Sequence, residues 1–164
     1  MKRLIIIRHS KAEEQKFGMR DFDRKLAKRG QLEAPIIAEK LKSLQAIPDL
    51  IITSSAARAF QSSLHYAEVF GFPKEKILLI DFIYDHFDVN DLKDLLVETA
   101  QESNTVFLFG HNPTLADLAY DLSGTFNDFL PTSGAVGIDF KIDDWKKIKK
   151  KSGLVVFFEY PKKQ

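Results

Sequence analysis

The sequence predicts a three-layer α/β/α fold with a mostly parallel sheet and an antiparallel edge. Short apolar runs rich in β-branched residues alternate with amphipathic segments of helical period, and the last quarter holds two strand-like runs with no helix between them. No repeat or linker interrupts this order, so residues 1–164 are expected to form a single domain. Leu4 to Ile7 suits a strand buried on both faces. A polar stretch without period follows from Ser10 to about Arg24, long for a plain connection. Ala27 to Leu44 reads as a helix with Leu32, Ile36, Ile37, Leu41 and Leu44 on its apolar face, and Pro35 is expected to kink it or to open a new helix.

Asp49 to Thr53 is the second strand, and Ser54 and Ser55 can cap the helix after it, whose apolar side carries Ala59, Phe60, Ser63, Leu64, Ala67 and Phe70. Gly71 and Pro73 stop that helix. Ile77 to Ile80 is a third strand. An irregular stretch, residues 81–90, precedes a helix bearing Leu92, Leu95, Leu96 and Thr99. Thr105 to Phe109 is a fourth strand, and Pro113 opens a helix that Gly124 ends. Ala135 to Phe140 and Leu154 to Tyr160 then form an antiparallel hairpin at the sheet's edge.

Composition excludes several functions. There is no cysteine, hence no disulfide, thiolate metal site or cysteine nucleophile. Lys and Arg total 24 against 23 Asp and Glu, a balance that supports neither a nucleic-acid nor a membrane surface. The N-terminal apolar run ends after four residues at Arg8-His9, too short for a signal core or a membrane span, and a cytoplasmic protein is expected. GxGxxG and Walker A patterns are absent, so no dinucleotide or ATP site is indicated.

In open parallel sheets, ligands bind where the βα loops leave the carboxyl ends of the strands. Here the first such loop begins Arg8-His9-Ser10-Lys11. The second carries Thr53-Ser54-Ser55 with Arg58 just beyond, and the fourth carries Gly110-His111-Asn112-Pro113. Two arginines and two histidines from distant segments therefore converge on one rim. Arginine offers a planar, permanently charged fork that fits phosphate oxygens, and helix N-termini add N–H donors. A histidine among arginines resists protonation and keeps a ring nitrogen free to attack phosphorus. No acidic residue adjoins His9, so it suits a nucleophile better than a general base.

The run Leu4-Ile5-Ile6-Ile7-Arg8-His9-Ser10 resembles the opening RHG motif of the histidine phosphatase superfamily, whose fold is phosphoglycerate mutase-like. Within it the chain is most similar to phosphohistidine phosphatases of the SixA type. Asp23-Arg24-Lys25-Leu26 with Lys28-Arg29-Gly30, Ser54-Ser55-Ala56-Ala57-Arg58-Ala59-Phe60-Gln61-Ser62, Gly110-His111-Asn112-Pro113 and Pro131-Thr132-Ser133-Gly134-Ala135 follow in the family's order. The resemblance implies that His9 accepts the phosphoryl group, that Arg8 and Arg58 bind its oxygens, and that His111 completes the pocket. Ser10 stands where glycine is common, and the second motif lacks the usual proline. Ser10 and Arg24 extend the candidate substrate-binding set, a solvated position being the other reading of Arg24. The general acid of larger members corresponds to the region Tyr84-Asp85-His86, with Asp85 the candidate.

The function so implied is dephosphorylation of phosphohistidine on a protein partner, through a phosphohistidine intermediate and with no cofactor or metal. The alternatives are a phosphatase of small phosphomonoesters and a weakly catalytic phospho-binding module; a mutase is disfavoured because the chain has little material for a lid. A zinc site at His9 and His111 is also disfavoured, because adjacent arginines repel a dication. The run Trp145-Lys146-Lys147-Ile148-Lys149-Lys150-Lys151 reads as a solvated connection around a packing tryptophan. His65 reads as a helix-surface residue and His86 as a loop residue.

Overall fold

In a computed structural model, which describes residues 1–162, the chain runs β1 (Lys2–Arg8), α1 (Lys28–Ser43), β2 (Leu50–Ser54), α2 (Ala57–Phe70), β3 (Leu78–Ile80), α3 (Val89–Thr99), β4 (Thr105–Gly110), α4 (Thr114–Ser123), β5 (Ala135–Phe140) and β6 (Leu154–Glu159). The sheet order is β3-β2-β4-β1-β5-β6, with β1 to β4 parallel and β5 and β6 antiparallel to their neighbours. This is the three-layer arrangement expected, with the hairpin at one edge.

Strand alternation divides the apolar runs between two cores. Leu4, Ile6, Val106 and Leu108 pack with Leu92, Leu96, Leu115 and Leu122 of α3 and α4. Ile5, Ile7, Phe107 and Phe109 pack on the other face with Ala34, Leu41, Tyr66 and Ala67 of α1 and α2. From β1 the chain crosses to α1 on one face, and from β4 to α4 on the other, while the strands lie side by side with Arg8 opposite Gly110. Divergence of the two exits opens a crevice at the carboxyl ends of β1 and β4.

The first helix differs from expectation in its buried face. Leu32, Ile36 and Leu44 are exposed, and the core side is Gly30, Ala34, Ile37, Ala38 and Leu41. Small residues let α1 approach closely: a Cβ on Gly30 would run into the Lys11 carbonyl. Pro35 lies within α1 without ending it. Nor do Ser54 and Ser55 act as the N-cap of α2. Ala56 holds that position without a side-chain cap, and Ser54 Oγ instead accepts the Ala56 N–H (3.1 Å) from within the strand end. Gly71 (φ 65°) and Gly124 (φ 72°) end α2 and α4 in the left-handed region, as the stop signals predict.

The stretch after β1 is tied at its base by the Ala12–Leu26 bridge and by the Ala27 N–H to the Lys11 carbonyl, and docks on α2 through the Leu26 N–H to Gln61 Oε1. Between these ties a 3-10 turn, Asp21–Asp23, packs on α2. Trp145 is buried with Nε1 donating to the Ser103 carbonyl, whereas Lys146, Lys147, Lys149, Lys150 and Lys151 are exposed. Among the described residues no helix is long and apolar enough to cross a membrane.

Candidate active site

Arg8 ends β1, His9 follows it, Arg58 lies in the first turn of α2, and His111 follows β4. The structure brings all four together. His9, Arg58 and His111 are 7%, 6% and 9% exposed, and the two imidazole centroids are 5.2 Å apart. His9 Nδ1 lies 2.8 Å from the Ser10 carbonyl, which can only accept, so Nδ1 carries the proton. Nε2 is thereby left with a lone pair, and Arg58 Nε–H points at it from 3.3 Å. The nitrogen that a metal would need faces a guanidinium. Among the described residues no group of three His, Asp or Glu is placed to hold a metal ion.

The backbone fixes this geometry. The His9 N–H donates to the Gly110 carbonyl (3.1 Å), and the His9 carbonyl accepts the Ser133 N–H (3.1 Å). Ser10 is buried: its N–H donates to Ser62 Oγ (2.9 Å), and its Oγ accepts from Ser133 Oγ (2.6 Å). Arg8 Nη1 donates to the Leu130 carbonyl (3.1 Å), which orients the side chain, while its Nε is buried without a partner. His111 Nε2 sits 2.9 Å from Ser54 Oγ, and its Nδ1 is likewise buried and unpartnered. A donor on Arg8 and a ring nitrogen on His111, both unsatisfied in one crevice, are what a polar group bound there would satisfy. Volume is a poorer guide. Hollows of about 520 and 450 Å³ are lined by His86, Tyr120 and Asp128 and by Arg29, Phe129 and Tyr160, and neither includes the four residues.

Burial lowers the His9 pKa to about 3, helped by His111, Arg58 and Arg8 and opposed by the bond to the Ser10 carbonyl. Burial and Arg58 lower His111 to about 4. Both imidazoles are therefore neutral at pH 7. A histidine whose folded pKa lies below its unfolded value of 6.5 is protonated first in the unfolded chain. Stability is then fully held above pH ~6.5 and lost as pH falls. Urea unfolding is expected to show a loss on the order of a few kcal/mol between pH 7 and about 4.5. A flat profile across that window would mean that the imidazoles are solvated.

The remaining predicted positions stand further back. Arg24 does not reach the histidines; it binds Asp21 Oδ1 through Nε (2.9 Å) and the Glu13 carbonyl through Nη1 (2.9 Å). Asp85 is exposed at the end of the 3-10 turn Asp81–Tyr84. In that turn Tyr84 packs edge-on to His111, with ring centroids 5.4 Å apart, and lies beside the Arg58 guanidinium at 6.0 Å. His86 is exposed near Thr114, and half-buried His65 bonds Gln31 across the helix pair.

Sequence reasoning missed Asp21 and Tyr84. Asp21 Oδ2 accepts from Arg58 Nη2 (2.9 Å) and from the Tyr84 hydroxyl (2.8 Å), and its carbonyl accepts from Arg58 Nη1 (2.8 Å). Burial opposes its ionisation, but the bonds from Tyr84, Arg58 and Arg24 outweigh that and hold the carboxyl at about 2. Its one sequence signal is its place inside an overlong polar loop.

No family model matches the chain. It is 30% identical over 130 residues to an uncharacterized chloroplastic protein of Arabidopsis thaliana, covering 75% of this chain and 60% of the length of that curated relative. Among solved structures, a protein assigned as phosphohistidine phosphatase SixA from Agrobacterium tumefaciens shares 30% identity and superposes with a TM-score of 0.81, over 98% of both chains. A similarly assigned SixA from Nakamurella multipartitia, 18% identical, covers 99% of this chain and 97% of its own with a TM-score of 0.83. The protein histidine phosphatase SixA complexed with tungstate, 20% identical, covers 95% of both chains with a TM-score of 0.79. Sheet order, the crevice between β1 and β4 and agreement over nearly the whole length point the same way: the chain belongs to the histidine phosphatase superfamily, with its phosphoglycerate mutase-like fold.

Proposed function

We propose that this chain is a phosphatase that passes the phosphoryl group through His9, most readily from phosphohistidine on a partner protein. The observation that carries this reading is the buried, unprotonated Nε2 of His9 held against the guanidinium of Arg58. In the first step the Nε2 lone pair forms a bond to phosphorus as the bond to the leaving nitrogen breaks; the leaving ring, protonated on its other nitrogen, takes that electron pair and departs as neutral imidazole. Arg8, Arg58 and His111 stabilise the charge gathered on the three equatorial oxygens. Water then attacks the phospho-His9 phosphorus, restoring the imidazole and releasing phosphate.

The proton inventory supports this choice of substrate class. Asp21 is ionised, the Tyr84 hydroxyl is spent on it, and Asp85, the candidate acid, is exposed. A buried acid held ready to protonate an alkoxide is not among these groups. Imidazole and phenolate leave with little assistance, whereas a sugar alkoxide forgoes what general acid catalysis supplies, about 10²- to 10⁴-fold. The similarity to the Agrobacterium protein supports the same substrate. Measured kcat/KM should therefore favour a phosphohistidine peptide and an aryl phosphate over sugar phosphates by at least ~100-fold. A preference for sugar phosphates would instead make the chain a phosphatase of small phosphomonoesters.

A further inference from the structure

We infer that Asp21 is a positioning residue for this site: its carboxylate, supported by the Tyr84 hydroxyl, fixes the Arg58 guanidinium so that its Nε edge faces His9. The inference rests on His9 as the phosphoryl acceptor and adds the residue that aims the cation beside it.

A guanidinium is planar, so fixing its two terminal nitrogens fixes the direction of the third N–H. Asp21 grips both ends of the fork, taking Nη1 on its carbonyl at 2.8 Å and Nη2 on Oδ2 at 2.9 Å. The third nitrogen, Nε, is then aimed at His9 Nε2. The carboxylate is itself held: Tyr84 donates to Oδ2 and Arg24 to Oδ1, and Arg24 is anchored on the Glu13 carbonyl. Three segments thus meet on one carboxylate: the loop after β1, the first turn of α2 and the 3-10 turn after β3. Closure of that loop on α2, through Leu26 and Gln61, keeps Asp21 in reach.

The charge of Asp21 has a second effect. Arg8 and Arg58 would bind phosphate more tightly than turnover favours, and a carboxylate bonded to Arg58 offsets part of that attraction. Removing the charge while keeping the shape should therefore separate binding from catalysis. In Asp21→Asn the guanidinium loses its grip, and misplacement of this order costs up to about 10²-fold. We expect kcat on an aryl phosphate to fall about 10- to 100-fold. KM and the inhibition constant of inorganic phosphate should both fall at least about 3-fold as ground-state attraction grows. In Tyr84→Phe, which keeps the charge, kcat should fall about 3-fold with phosphate affinity unchanged.

A merely structural role would weaken phosphate binding and turnover together. If Asp21→Asn keeps kcat within twofold of the parent chain, or binds phosphate no more tightly by calorimetry, the inference is overturned. Should that variant fail to fold, Tyr84→Phe decides: unchanged kcat, or altered phosphate affinity, overturns it. A parent chain that forms no phosphoenzyme would defeat the reading of His9 alone, because the phosphate titration reports on Asp21 without turnover.

Discussion

Substitution of His9 by alanine is expected to abolish the phosphoenzyme and to lower turnover of an aryl phosphate by about 10⁴-fold or more. The arginines beside it can bind phosphoryl oxygens, and on the proposed reading the buried Nε2, which carries no proton, is the nitrogen that forms the bond. Trapping with a reactive aryl phosphate should yield an acid-labile, base-stable adduct in the parent chain and none in His9→Ala. The imidazole's hydrogen bonds are to the Ser10 carbonyl and Arg58, so the variant should keep the fold, which hangs on the backbone bonds of residue 9 to Gly110 and Ser133. Circular dichroism checks that point. A phosphoenzyme surviving in His9→Ala would move the nucleophile elsewhere, with His111 the next imidazole to test.

Loss of Arg58 is the second large effect. Arg58→Ala should reduce kcat/KM about 10²- to 10³-fold, the range for deleting one preorganised donor to a developing oxyanion. Arg58→Lys should recover little. An ammonium cannot hold the Asp21 carbonyl, the Asp21 carboxylate and His9 Nε2 from one rigid plane, as the guanidinium does. Arg58 also helps to lower both histidine pKa values, so its removal should shift protonation of His9 to higher pH and move the acid limb of the rate profile with it. A lysine variant with parental kcat/KM would show that charge alone, without the planar fork, is enough.

How much of this was legible beforehand depends on how local each feature is. The apolar run at Leu4–Ile7 identified a strand buried on both faces and Thr105–Phe109 a further strand, and the alternation of strands with helical segments implied a parallel sheet. In such a sheet the residues following each strand share one rim, so Arg8, His9, Arg58 and His111 could be placed together from order alone. The buried side of α1 could be read only in part: Ile37 and Leu41 are buried as expected. Counting large apolar residues pointed to Leu32, Ile36 and Leu44, whereas the helix buries Gly30, Ala34 and Ala38, because close approach to the sheet and to Lys11 rewards small side chains there.

The network that holds Arg58 was decided by tertiary structure alone. Asp21 lies in a loop without period, and nothing in its neighbours says that its carboxylate meets Arg58 and Tyr84 across sequence separations of 37 and 63 residues. The carbonyls of Ser10, Asp21 and Leu130 carry no residue-type signal, yet they set the His9 tautomer and the directions of Arg58 and Arg8. By itself the sequence determined which side chains stand at the strand ends, because periodic burial is written residue by residue. Which nitrogen faces the crevice, and which carboxylate aims the cation beside it, depended on segments that meet only when the chain closes on itself.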